Sequence, residues 1–149
     1  MNKFMISALV LGLTATAQAH DEGHGPKTSD TGKYGGVVSA VVAKADASKG
    51  AKAMATNKAE LVRGSDGTVR LYVYDTTMKP ADLKGFDVKA AGMVVSGSKK
   101  KMAKSDFALE QKDGAFVGTL PKELKAPYSV EVTLKQTDKE LLAAFQNLD

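Results

Sequence analysis

His20-Asp21-Glu22-Gly23-His24 is the stretch of this chain whose residue types and spacing best fit it for chemistry. Both histidines of the 149-residue sequence fall within these five positions. If the chain is cut after Ala19, the freed amine of His20 and its own imidazole form a compact bidentate nitrogen chelate. His24 adds a third nitrogen, and Asp21 or Glu22 an oxygen. Such a donor set suits Cu(II), and less selectively Ni(II) or Zn(II). A cut after Ala17 instead leaves Gln18-Ala19-His20 at the terminus. A third-position His then lets the amine, two deprotonated amides and an imidazole surround Cu(II) or Ni(II) in a plane. The plainer alternative is a pair of solvated histidines in a polar segment.

The elements before this stretch make the cut plausible. Lys3 supplies a positive start, Phe4 to Leu13 an apolar run, and Ala17-Gln18-Ala19 a small-x-small site, which together spell a secretory signal peptide over 1–19. The run is shorter than the roughly 20 residues that a membrane span needs. No later stretch approaches that length, so the expected product is exported and soluble, with no transmembrane segment after cleavage. There is no cysteine, so disulfides and thiolate metal sites are out. Export without disulfides points to a periplasm.

Composition narrows the function classes further. The formal charge is +4, one unit of it from Lys3. That is mild, and basic stripes interleaved with aromatics are missing, so nucleic acid is not an expected partner. With both histidines at the head of the chain and no cysteine, nucleophile–histidine arrangements within the fold are unavailable. No phosphate-binding glycine motif occurs either. The expected product is therefore not an enzyme.

Residues 20–33, rich in glycine and polar side chains, read as a flexible leader, and 34–149 as the folded domain. Val37 to Val42 is a β-branched run of strand length. Lys44 to Lys58 reads as a long basic loop. Val69, Leu71 and Val73 alternate with Arg70, Tyr72 and Tyr74, the period of a half-buried strand. Gly64-Ser65-Asp66-Gly67 joins them to Leu61-Val62 as a hairpin. Phe86 to Gly97 is a further strand region. Lys99 to Lys104 reads as a basic turn, and Asp113-Gly114 as a second hairpin between Phe107–Glu110 and Ala115–Leu120. Tyr128 to Lys135 alternates cleanly. From Thr137 onward, a helix-capping pattern competes with the alternation of Leu141, Ala143 and Phe145, and a closing strand is the preferred reading. Seven or eight short strands predict an all-β, antiparallel, immunoglobulin-like β-sandwich.

Gly35-Gly36-Val37-Val38, Ala59-Glu60-Leu61-Val62, Val69 to Asp75 and Ala126 to Leu134 together resemble small periplasmic β-sandwich proteins of the YtkA-like and CopC-like type. The resemblance runs from Tyr34 to Phe145. It implies an association with heavy-metal efflux and copper handling, with His20 matching the family's copper-binding first residue. Histidines that the family uses later in the fold have no counterpart after His24, and Tyr34 stands where relatives carry His before the Gly-Gly pair.

Two functional expectations follow. One is a metal-binding or metal-trafficking accessory protein, for copper, using His20, His24, Asp21 and Glu22 and handing the ion to an envelope efflux or metal-transfer protein. The other is a metal-free interaction or structural module of an envelope or efflux complex. Met54, Met78, Met93 and Met102 are too scattered for a thioether site and read as packing residues. Lys99–Lys101 and Lys104, joined by Lys44, Lys49, Lys52 and Lys58, could meet an anionic ligand, or be solvated turns that blunt a sheet edge.

Overall fold

A computed structural model describes residues 25–98 and 100–149. Eight strands follow one another: β1 (Val37–Ala43), β2 (Ala55–Arg63), β3 (Thr68–Tyr74), β4 (Lys89–Ser98), β5 (Lys101–Lys112), β6 (Ala115–Thr119), β7 (Tyr128–Gln136) and β8 (Lys139–Leu148). Every strand pairing is antiparallel. The spatial order is β1-β2-β3-β6-β5-β4-β7-β8, and the sheet closes on itself as a barrel.

The fold is all-β and antiparallel, as expected, but the strands form one closed sheet instead of two stacked ones. Two pairings bring this about. Val41 to Ala43 of β1 lie beside Ala143 to Leu141 of β8. Thr68 to Leu71 of β3 lie beside Thr119 to Phe116 of β6. An alternating apolar pattern requires only that one face of each strand be buried, which a sandwich and a barrel both satisfy. The β4-β5-β6 meander, with β3 returning beside β6, makes a Greek key.

Local chemistry accounts for the turns. Asp113 and Gly114 both have positive φ, 52° and 77°, the pair of left-handed residues that a tight hairpin between right-twisted strands favours. In the β2–β3 turn, Asp66 accepts from the Thr68 amide and hydroxyl, both at 2.9 Å. The C-terminal segment is a strand, with Gln136 opposite Lys139. Thr137 takes φ of 54° in the reversal, so the capping pattern there serves a turn. Helix formation would have pulled Leu141, Ala143 and Phe145 off the buried face they now share.

Two basic segments differ from expectation. Lys44–Lys52 winds into short 3₁₀ turns with no buried residue, broken at Gly50. Lys101 to Lys104, read as part of a turn, belongs to β5, because its ladder with β4 runs on to Ser98↔Lys101. The apolar alternation that normally reveals a strand is missing there because residues 101–106 are exposed on both faces.

The barrel interior is filled by side chains from every strand, including Val41, Leu61, Leu71, Val94, Leu109, Phe116, Val132 and Phe145. Phe86, from the β3–β4 crossover, meets Phe116 edge-on at 6.4 Å between ring centres. The Gln111 amide fastens that crossover by donating to the carbonyls of Leu83, Phe86 and Asp87. Among the described residues, no helix is long and apolar enough to cross a membrane.

Leu71 is completely buried at the β2–β3–β6 junction. Leu71→Asp buries an uncompensated charge, with an expected loss of about 4 kcal/mol or more. Circular dichroism and chemical denaturation should find an unfolded chain or a collapsed midpoint.

Candidate functional site

The residues that the sequence singles out for metal, His20, Asp21, Glu22 and His24, lie outside the described residues. What the structure places is the chain that follows them, and it converges on one carboxylate.

Glu60 sits at the centre of β2, facing away from the barrel core, yet it is fully buried. Residues 32–36 fold across it. Its Oε1 accepts from the amides of Tyr34 and Gly36, and its Oε2 from the amide of Lys33, each at 2.8 Å. The Tyr74 hydroxyl of β3 donates to Oε2 at 2.7 Å. Four donors therefore meet a two-oxygen acceptor, two on each oxygen. Gly32 and Gly36 permit this approach. A Cβ at Gly32 would fall 2.2 Å from Oε1, and one at Gly36 only 2.5 Å from the Leu61 carbonyl oxygen.

Further contacts continue the attachment over the outer face of β1, β2 and β3. Tyr34 stacks on Tyr72, with ring centres 4.0 Å apart and planes 19° from parallel. The Lys33 ammonium lies 5.4 Å from the centre of the Tyr74 ring. Asp30 pairs with Lys58 at 2.5 Å and also accepts from the Thr28 hydroxyl. Gly25 rests over Ala40 and Val42, with room for a Cβ only 3.3 Å from a Val42 methyl. The stretch 25–36 thus lies along the barrel and turns at Tyr34-Gly35-Gly36 into β1.

The electrostatics follow from those partners. Burial alone would push the Glu60 carboxyl up. The Tyr74 hydroxyl and the three amides outweigh it and hold the group below the ordinary glutamate range. Burial, then the hydrogen bond to Glu60, push the Tyr74 phenol far above its usual value. Asp30 is lowered, first by Lys58 and then by Thr28. Glu60 thus stays anionic with its acceptor sites occupied, which leaves it no lone pair for a metal and no proton to trade. It is a clamp for the chain, not a reactive group.

Other sequence candidates are dispersed. Met54 precedes β2, Met78 lies in the β3–β4 crossover, Met93 on β4 and Met102 on β5. Lys58 is engaged by Asp30, Lys44 by Glu140 and Lys49 by Asp46. Among the described residues, no group of three or more His, Asp or Glu side chains could hold a metal ion. At the barrel end, the Arg63 guanidinium donates to the Tyr128 hydroxyl at 2.9 Å and to the Asp149 carbonyl at 2.6 Å. It ties the ends of β2, β7 and β8 together beside an open recess of about 650 Å³.

Sequence reasoning missed Glu60. A charged residue on the polar side of a strand is ordinary, and only the chain folded over it makes it different. The available signal was the Tyr34-Gly35-Gly36 turn, whose small residues let consecutive amides point one way.

No family model matches the chain, and neither do the curated proteins or the solved structures compared with it.

Glu60→Ala leaves three amides and a hydroxyl without their acceptor, and Glu60→Gln turns an amide NH₂ toward donors. Each should cost about 2–4 kcal/mol in denaturant unfolding, and proteolysis within 25–36 should accelerate. Because the folded carboxyl is held low, its contribution is complete above the unfolded value of about 4.3. It is lost as pH falls through the lower folded value. The stability gap between wild type and Glu60→Gln should therefore narrow below about pH 4.

Proposed function

We propose that this protein is an exported, non-enzymatic copper-binding accessory protein of the periplasm. Its barrel carries an N-terminal Cu(II) site made of the His20 amine and imidazole, His24, and Asp21 or Glu22. The observation that supports this reading is the Glu60 clamp. It holds residues 32–36 against β2, while Gly25, the residue after His24, rests on β1. A five-residue reach from that point is at most about 17 Å. The attachment of 25–36 to the barrel gives a donor group built on residues 20–24 a short tether to the folded domain, which suits delivery to an efflux or metal-transfer partner. The amine–imidazole pair is itself chemically suited to Cu(II). The low-specificity likeness in residue pattern to CopC-like domains agrees with it.

The mature N-terminus should be determined first, since the chelate needs a native amine and a retained tag destroys it. Titration with Cu(II) should then give sub-micromolar affinity, about −8 kcal/mol or stronger, abolished by His20→Ala and reduced by His24→Ala. Affinity that is weak and indifferent to both substitutions overturns the copper reading and leaves a metal-free interaction module of an envelope complex.

A further inference from the structure

Beyond residue 108 toward the β4–β5 turn, β5 outruns its neighbour. β6 accompanies it only from Leu109 to Lys112. On its other side β4 pairs with it continuously from Lys89↔Glu110 to Ser98↔Lys101, without a bulge. β4 itself is flanked by β7 as far as Ser96↔Tyr128. Residues 101–107 are thus a strand edge, and among the described residues no strand lies on their free side. Seven residues of strand offer an edge of about 24 Å, with alternate amides and carbonyls directed outward. Residues 101–106 are exposed, Met102 at 59%.

The chemistry along the edge is asymmetric. Residues 100–107 carry three lysines, Lys100, Lys101 and Lys104, and a single acid, Asp106. Lys101 falls on the face shared with Ala103 and Ser105, and Lys104 on that shared with Met102 and Asp106, since successive residues alternate. The positive charge is therefore available above and below an added strand. A second copy of the chain would bring its own lysines against these, and like charges across an edge oppose pairing.

We propose that the β5 edge over 101–107 binds an extended acidic segment of a partner protein by strand addition. Backbone pairing supplies the affinity and Lys101 and Lys104 select the charge. The ligand carries acidic side chains three residues apart, so that one falls on each face, and an apolar residue over Met102. This surface is independent of the copper reading.

The test uses the intact mature protein and a terminally blocked peptide of Val and Thr bearing two Glu residues three positions apart. Titration followed by NMR should give saturable binding, with shifts and slowed amide exchange confined to 101–107. Methylating alternate peptide amides on the pairing edge, and separately Lys101→Glu/Lys104→Glu in the protein, should each weaken binding about tenfold or more. The lysines are exposed, and an unchanged spectrum elsewhere confirms that the double variant is folded. Equal binding of the methylated peptide shows charge attraction alone and overturns the proposal. So do absence of saturation at millimolar peptide, equal competition by anionic vesicles, and concentration-dependent self-association that occupies the same residues.

Discussion

The buried Glu60 carboxylate is the constraint around which the outer face of this barrel is organised. A carboxylate taken out of water is costly unless its lone pairs are met by donors. Here three amides from one turn of the incoming chain and one phenol from the neighbouring strand meet them. The consequence is reciprocal. The chain segment gains fixed partners for backbone groups that would otherwise face water, and Glu60 gains a cover that makes its hydrogen bonds strong. The Tyr34–Tyr72 stack and the Asp30–Lys58 pair reinforce a geometry that the carboxylate already defines.

Closure of the sheet is the second organising fact, and it redistributes risk. A barrel has no edges where its strands match in length. This one closes where strands are long enough to find both neighbours, and fails to close where β5 runs past β6. The same extension explains why the lysine-rich segment looked like a turn. A strand exposed on both faces has no hydrophobic periodicity to display, and polar residues there satisfy solvent instead of a core. Its lysines both deter self-pairing and define the charge of a strand that could be accepted.

Legibility followed burial of side chains in the main core. The hairpin at Gly64–Gly67, the Asp113-Gly114 reversal, and the strands around Leu71, Val132 and Phe145 could be read from alternation and turn chemistry, because each strand repeats one rule residue by residue. The choice between sandwich and barrel could not. It depends on whether β1 reaches β8 and β3 reaches β6, pairings between segments far apart in sequence whose local patterns are the same in either arrangement. Glu60 was illegible for a related reason: its environment is built by residues 24–27 positions earlier.

The sequence alone determined that the chain is rich in strands and lacks thiol chemistry, and that its histidines are concentrated at His20 and His24. These properties follow from residue identity and short-range spacing. Tertiary structure decided that the sheet closes, that Glu60 is a buried anchor instead of a surface charge, and that Lys101 to Phe107 form an open edge. Each is a matter of which distant segment covers which, settled by the pairing and packing free energy of the whole chain.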